Sequence, residues 1–339
     1  MKLAIGFGFL WAALLPVAAH GSPGNLEHVS IAGTDHVRLE DWARANNFTA
    51  QWVVPKQELR LSSDSTTLSF TVDSARISIN GIHVWLSEPI ALRNGAAWIW
   101  SLDIATAIQP ILSAPRNPGG KLIKTVVLDA GHGGKDPGYQ VGKQQEKKYT
   151  LLLAKEVADL LNRVGLKTTL TRTTDRFLEL PDRPDLARRR GADLFISLHF
   201  NAFQGVGGPE VKGVEVYCMT PAGACSTNSR GEGGGAGRYP GNRFDANNML
   251  LCYQMQRALL RNLPVEDRGV RRARWAVLRS AEMPAILIEG GFMTNPPEAR
   301  RIYDATARRQ MAAAIVAGVK AYKHLVEPPV PADRAESSR

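Results

Sequence analysis

Three residues that can bind a metal or move a proton each follow or end an apolar run of the chain. His132 lies in the glycine-rich run DAGHGG directly after an apolar segment, His199 ends the run LFISLH, and Glu289 ends AILIE. Apolar runs of this length predict buried strands, and α/β proteins form their sites at the carboxyl ends of strands. An ionised carboxylate at such a position needs a partner or a chemical role. We therefore expect the three side chains to meet at one edge of a sheet.

Glu146 is a fourth candidate, just before a helix that is predicted to begin near Tyr149. Two imidazoles and one carboxylate suit Zn²⁺ with its fourth position open, and a second carboxylate that does not bind the metal can then act as general base. For Glu146 taken alone, a solvated acid stabilised by the helix dipole is the alternative. The four residues lie too far apart in the sequence for the short His-Glu-x-x-His helix of many metalloproteases.

The elements that must position these side chains alternate between strands and helices from residue 124 to residue 326. Strands are predicted at residues 125–129, 168–171, 194–199, 214–217, 276–278 and 285–288. Helices with apolar residues at helical spacing are predicted at residues 149–164, 246–262 and 307–325. This alternation indicates an α/β sandwich in which helices flank a mainly parallel or mixed central sheet.

A smaller α+β module is predicted at residues 24–113, built mostly from antiparallel strands. The dipeptide Asn80-Gly81 lies between two apolar alternating runs and is a strong hairpin signal, because both turn positions need a positive φ. Short helices are predicted near residues 41–46 and 103–112. The module contains no cluster of metal ligands or paired acids, and the Pro- and Gly-rich residues 114–123 are predicted to form a linker.

The two ends of the chain have compositions unlike the rest. Residues 1–19 have the order of a secretory signal, with Lys2, an apolar stretch and small residues up to Ala19, so we expect export to the periplasm or the medium. The polar residues 327–339 predict a disordered tail. A formal net charge of +10 favours an anionic partner such as a wall polymer, a membrane surface or nucleic acid, or reflects a generally basic surface. After loss of the signal, no apolar run is long enough to span a membrane.

Three cysteines lie close together in the sequence, next to a glycine-rich stretch. In an oxidising compartment we expect a disulfide between Cys218 and Cys225, with Cys225 to Cys252 as the alternative. Cys252 falls within a predicted helix, where a buried free thiol is common. Residues 222–242 lack a periodic apolar face and predict a long surface loop.

These segments, taken in order, resemble the zinc-dependent N-acetylmuramoyl-L-alanine amidases. The resemblance covers about residues 124–326 and rests on the motifs DAGHGGKDPG, QEK, SLHFNA and IEGGFMTN. It implies the phosphorylase/hydrolase-like α/β fold and peptidoglycan as the substrate, cut between N-acetylmuramic acid and L-alanine, with no role for nucleic acid. It also implies that Zn²⁺ is bound by three of the four residues and that Glu289 is the catalytic acid and base. The implied ligands are His132, Glu146 and His199.

The resemblance has further implications outside these four residues. Residues 79–86 and 94–99 resemble, more weakly, the small N-terminal module of copper amine oxidases, which implies an accessory unit that binds the wall or a partner. Because this module contains no candidate ligands, we expect the chain from about Lys121 onward to cut soluble muropeptides without it. Division-associated relatives carry a helical insert after Tyr217 that blocks the site, and the glycine-rich loop here implies basal activity without a partner; no activating protein is identified. Candidates for binding the substrate are Arg172, Arg183 and Asn201, with surface salt bridges as the alternative for the two arginines.

Two other functions remain open from the residues alone. A zinc peptidase that acts within the stem peptide would use the same chemistry, because a metal-activated water cleaves any amide. A wall-binding protein with a decayed site is the non-enzymatic alternative. The presence of all four chemical residues argues against decay.

Overall fold

The computed structural model describes residues 26–228 and 237–328. The predicted signal, part of the glycine-rich loop and most of the predicted tail lie outside the described residues. Among the helices of the described ranges, none is both long and apolar enough to cross a membrane.

The N-terminal module is mostly antiparallel β-structure. Its strands are β1 (His28–Ile31), β2 (Thr34–Arg38), β3 (Thr49–Val54), β4 (Glu58–Ser62), β5 (Thr67–Thr71), β6 (Arg76–Ile79), β7 (Ile82–Trp85), β8 (Ala91–Arg93) and β9 (Ala96–Trp100). Its helices are α1 (Leu39–Ala45), α2 (Ser101–Asp103) and α3 (Gln109–Leu112), the last two joined by π-helical residues Ile104–Ile108. The predicted hairpin is confirmed, since Asn80 and Gly81 connect β6 to β7 with φ values of 48° and 81°.

The larger domain alternates strands and helices, as predicted. Its strands are β10 (Thr125–Ala130), β11 (Gln140–Val141), β12 (Gln144–Gln145), β13 (Lys167–Leu170), β14 (Leu194–Asn201), β15 (Val214–Met219), β16 (Asp267–Ala273) and β17 (Ala285–Phe292). Its helices are α4 (Glu146–Arg163), α5 (Asp182–Arg189), α6 (Asp245–Asn262), α7 (Ala276–Arg279), α8 (Pro296–Tyr303) and α9 (Ala305–Val326).

The central sheet is mixed, and it does not end at the boundary of the larger domain. Its order is β13-β10-β14-β17-β15-β16, with the first four strands parallel and β15 and β16 reversed. β16 then pairs with β7 at Val270 and Val84, and the sheet continues through β6, β5, β4 and β3 to eleven strands within the described ranges. Five strands of the N-terminal module therefore extend the sheet of the larger domain, whereas its other four strands form a separate sheet in the order β1-β2-β9-β8.

Helices cover both faces of the α/β part of the sheet. Successive residues of a strand point to opposite faces, and Val126 and Leu128 accordingly join one hydrophobic core while Val127 joins the other. The helices α4, α6 and α9 pack together on one side, and the shorter helices α5 and α7 meet on the other. This two-sided burial explains why β10, β14 and β17 are almost continuously apolar.

One predicted strand is wrong. Residues 276–278 form the short helix α7, and the strand lies earlier, at β16, whose sequence DRGVRRA carries three arginines. Such a charged run does not show the apolar pattern of a buried strand. Arg272 is nevertheless fully buried, because its Nη1 pairs with Oδ1 of Asp103 at 2.7 Å.

Candidate active site

Three of the predicted site residues converge at the carboxyl edge of the sheet. Glu146, the first residue of α4, places its Oε1 2.9 Å from Nε2 of His132 and 3.1 Å from Nδ1 of His199. The two imidazole nitrogens are 3.2 Å apart. Ligand atoms about 2.0–2.1 Å from a tetrahedral zinc ion lie about 3.3 Å from one another. The three side chains therefore form a group that fits a single metal ion.

The backbone next to His132 lets the two imidazoles approach each other. A Cβ atom at Gly131 would lie 2.3 Å from Cε1 of His199, so a side chain at this position would displace the ring. His132 itself has a φ of 61°, in the left-handed region that residues other than glycine rarely adopt. Residues held in such conformations are found at functional sites, where the surrounding structure must stabilise them.

Backbone amides hold the Glu146 carboxylate in place. Its Oε1 accepts a hydrogen bond from the amide of Phe200 at 3.1 Å, and its Oε2 accepts one from the amide of Tyr139 at 3.0 Å. Burial alone would raise the pKa of Glu146, but the contacts with His132 and His199 hold this pKa well below its usual range. Glu146 is thus kept ionised, as a metal ligand must be.

Asp136 orients His132 from the side opposite to Glu146. Its Oδ2 lies 2.8 Å from Nδ1 of His132, so a proton on Nδ1 leaves Nε2 facing Glu146. Burial alone would lower the pKa of His132, but the hydrogen bonds with Glu146 and Asp136 raise it. A carboxylate that holds the second nitrogen of a ligating histidine is common in metal sites. Sequence reasoning did not assign this role to Asp136, although it lies inside the DAGHGGKDPG motif.

Arg172 and Arg183 support this cluster from behind, and the prediction that they bind substrate is wrong. Both side chains are buried. Arg172 donates to the carbonyls of Ala130 and Gly131 at 2.9 and 2.8 Å, and Arg183 donates to the carbonyl of His132 at 3.0 Å. The surface salt-bridge alternative is wrong as well, because neither guanidinium reaches the surface. Both arginines fix the turn that presents His132.

Asp129 balances the buried charge of Arg183. Its carboxylate lies 2.9 Å from Nη1 of Arg183 and accepts hydrogen bonds from the hydroxyls of Thr171 and Ser197 at 2.7 and 2.8 Å. All four groups are buried. Sequence reasoning missed this role, although an acid at the end of an apolar strand was a signal that it needs a partner.

Glu289 lies on β17, directly beside His199 on the neighbouring parallel strand β14. It is buried, and its Oε2 makes no hydrogen bond with any residue that the structure describes. Burial raises the pKa of Glu289 well above its ordinary value, and the nearby carboxylates Glu146 and Glu215 raise it further. A carboxylate with a raised pKa is suited to taking up and releasing a proton near neutral pH.

A cleft of about 750 Å³ extends from the ligand cluster across β17, β15 and β16. Glu146 and Glu289 line one end of this cleft, and Asn201 lies in its wall. Its other wall contains side chains that sequence reasoning did not assign to the site. They are Glu215, Tyr217, Arg268, Arg271 and Trp275.

The segment from β10 into α9 matches a known family. The family described as N-acetylmuramoyl-L-alanine amidase matches residues 126–321, more than half of the chain. The chain belongs to this family. The matched residues contain the whole His-Glu-His cluster and Glu289, whereas the N-terminal module precedes the match.

Curated amidases are similar over the same part of the chain. AmiA of Escherichia coli is 32% identical over 233 residues, which cover 62% of this chain and 78% of that protein. AmiC of Neisseria meningitidis is 35% identical over 221 residues, which cover 58% of this chain and 52% of that protein. The chain thus spans most of the first relative and about half of the second.

Solved amidase structures share the fold. AmiC2 of Nostoc punctiforme is 33% identical, with a TM-score of 0.50 over 59% of this chain and 97% of that chain. The amidase of Clostridium difficile 630 is 31% identical, with a TM-score of 0.50 over 60% of this chain and 97% of that chain. The predicted fold class and the prediction of an amidase enzyme are confirmed.

The amidase has no disulfide among its three cysteines, all of which the structure describes as free thiols. The predicted bond between Cys218 and Cys225 is therefore not formed, and neither is the alternative with Cys252. Cys218 points from β15 into the core and interacts with Cys252 on α6, whereas Cys225 is exposed. The prediction of a buried thiol at Cys252 is confirmed.

Proposed function

We propose that this amidase is zinc-dependent, with His132, Glu146 and His199 as the metal ligands and Glu289 as the residue that transfers protons. The observation that carries this proposal is the convergence of three ligand atoms within 2.9–3.2 Å, beside a buried carboxylate with an unbonded oxygen. The chemistry of the donor set agrees, because two imidazoles and a carboxylate are a common ligand set of catalytic zinc.

Glu289 moves one proton through the reaction. A bound zinc ion would make a water molecule more acidic and polarise the substrate carbonyl. Glu289 accepts a proton from the attacking water as the water oxygen bonds to the lactyl carbonyl carbon. It returns this proton to the L-alanine nitrogen as the C–N bond breaks. The products are a lactyl carboxylate on the glycan and a free amine on the stem peptide.

The proposed substrate is peptidoglycan, cut between N-acetylmuramic acid and L-alanine. Digestion of purified sacculi, followed by mass spectrometry and labelling of new amines, tests this proposal. We expect new amino termini on L-alanine. New amines on residues farther along the stem peptide would indicate the peptidase alternative, and binding to sacculi without any product would indicate the wall-binding alternative.

The metal is tested separately from the bond that is cut. The purified enzyme should contain about one zinc ion per chain, and a chelator should abolish hydrolysis that added Zn²⁺ restores. Undiminished hydrolysis by enzyme shown to be metal-free would contradict the zinc mechanism.

Export and the role of the N-terminal module complete the proposal. Residues 1–19 act as the signal, the mature amidase works in the periplasm or outside the cell, and residues 24–113 act as an accessory module similar to that of copper amine oxidases. Residues 114–123 connect it to the catalytic domain at residues 124–326. The amino-terminal sequence of the secreted protein tests the signal, and retention of residues 1–19 would contradict it.

A further inference from the structure

Two arginines of β16 face the cleft on the side away from the metal ligands. Arg268 places its Nε 2.5 Å from Oε1 of Glu215, and Nε of Arg271 lies 3.5 Å from the same oxygen. The other oxygen of Glu215 accepts a hydrogen bond from the hydroxyl of Tyr217 at 2.6 Å. One buried carboxylate is thus shared by two guanidinium groups, which leaves one positive charge in excess on this wall.

The excess charge is accessible from the cleft. The side chain of Arg268 is 28% exposed, against 11% for Arg271, and both line the cleft that also contains Glu289. Among the described residues, no hydrogen bond occupies the terminal nitrogens of Arg268. These nitrogens can donate to a ligand in the paired geometry with which guanidinium groups bind carboxylates.

The N-terminal module holds these two arginines in position. Nε1 of Trp85 donates to the carbonyl of Arg268 at 2.9 Å, and the ring of Trp85 lies 4.4 Å from the guanidinium of Arg271. The amide of His83 donates to the carboxylate of Asp267 at 2.8 Å, at the start of β16. The side chain of Arg271 is thus held between Trp85 and Glu215, whereas the module fixes Arg268 through its backbone. A side chain held in this way loses less freedom when it binds a ligand.

The spacing between this wall and the catalytic carboxylate limits which part of the substrate can reach it. Glu215 and Glu289 are opposite each other on β15 and β17, and β16 is the next strand. Two strand spacings of about 4.8 Å place β16 about 10 Å from β17, which equals about three residues of extended peptide. A group on the second or third residue of a bound peptide therefore lies within reach of the arginines.

We infer that Arg268 and Arg271 form a subsite for a carboxylate of the peptide part of the substrate, so that the amidase selects acidic stem peptides. This inference rests on the proposed function. Arg268 is the direct contact, Arg271 adds charge, and the N-terminal module is a positioning unit for both. The module thereby contributes to substrate selection at the cleft.

The test compares three soluble muropeptides with the same disaccharide and the same sequence of stem-peptide residues. The first has free carboxylates on the second and third residues of the stem peptide. In the second and third muropeptides, one of these two carboxylates is replaced by a carboxamide, at a different residue in each. The zinc-loaded full chain should cleave one of the carboxamide analogues with a kcat/KM about tenfold lower, mainly through KM, as expected for loss of a charge-assisted hydrogen bond. In Arg268→Gln this difference should disappear, and in Arg268→Lys part of it should return.

Arg300→Gln is the matched control, because Arg300 is an exposed arginine of α8 outside the cleft; it should behave as the wild type. Equal cleavage of all three muropeptides by the wild type would overturn the subsite while leaving the proposed function intact. An equal loss of kcat/KM on all three in Arg268→Gln would also overturn it, since a structural defect does not distinguish substrates. A wild type that cleaves none of them at the muramoyl–alanine bond would overturn the proposed function itself.

Discussion

A buried arginine–aspartate pair lies behind each end of the cleft, but the two pairs come from different parts of the chain. Behind the metal ligands, Arg183 pairs with Asp129, and both residues belong to the α/β domain. Behind the wall that contains Arg268 and Arg271, which we call the arginine wall, Arg272 of the same domain pairs with Asp103 of the N-terminal module. All four side chains are buried. The metal end is thus complete within one domain, whereas the arginine end requires the module as well.

A buried ion pair adds little net stability over apolar packing, but removing one partner leaves a charge that is costly to bury. Removing one partner of either pair should therefore disturb the end of the cleft that this pair supports. This leads us to expect that substitutions at one end change metal binding and those at the other change substrate affinity.

The largest effect is expected at the catalytic residues themselves. Glu289→Gln should lower kcat by about 10²–10⁴-fold, because proton transfer is lost, yet retain zinc. His199→Ala should lose both zinc and activity. Metal analysis and hydrolysis of soluble muropeptides distinguish the two variants. Loss of zinc from Glu289→Gln would instead make this residue a ligand.

Breaking the pair at the metal end is expected to have the next largest effect. Asp129→Asn leaves the buried guanidinium of Arg183 without its counter-charge and should lower the free energy of unfolding by about 3–5 kcal/mol. Zinc affinity should fall as well, because Arg183 holds the carbonyl of His132. Urea unfolding and zinc titration measure both. A variant that is less stable but binds zinc with unchanged affinity would show that the Arg183–Asp129 pair does not influence the metal site.

The corresponding change at the other end is Asp103→Asn. It leaves the buried guanidinium of Arg272 without its counter-charge, so we again expect the free energy of unfolding to fall by about 3–5 kcal/mol. Here KM for the acidic muropeptide should rise while zinc affinity stays unchanged. The comparison between the two ends fails if this variant loses zinc and keeps its KM.

The smallest effect is expected at Asp136. Asp136→Asn removes a carboxylate that raises the pKa of His132, so this pKa, followed by NMR in zinc-free protein, should fall. Removal of such a partner typically weakens metal binding by about 10–100-fold, measured at a pH above the pKa of the histidine in both proteins. Asp185→Asn, on the exposed face of α5, is the control and should change neither property.

The meeting of His132, His199 and Glu289 at one edge of the sheet could be predicted from the sequence. Residues at the ends of the apolar runs that became β10, β14 and β17 had to meet, because the carboxyl ends of neighbouring parallel strands lie at one sheet edge. The resemblance of four motifs to one family then predicted which of these side chains bind the metal and which one transfers protons. These signals lie in short segments of the sequence, and each segment forms the predicted element in the folded protein.

The roles of the arginines could not be predicted in this way. An arginine in a sequence looks the same whether it is exposed or buried, and burial depends on a partner elsewhere in the chain. Arg183 finds Asp129 across 54 residues, and Arg272 finds Asp103 across 169. For the same reason, the charged run of β16 did not look like a strand.

The sequence by itself thus determined that residues able to bind a metal or move a proton meet at one edge of the sheet, because residue type and strand ends are properties of short segments. Only the tertiary structure decided that the N-terminal module joins the catalytic sheet, through the pairing of β7 with β16. Strand pairing depends on which edge of a sheet is left open and on which residues lie behind it. The residue patterns of β7 and β16 predict neither the open sheet edge nor the residues behind it.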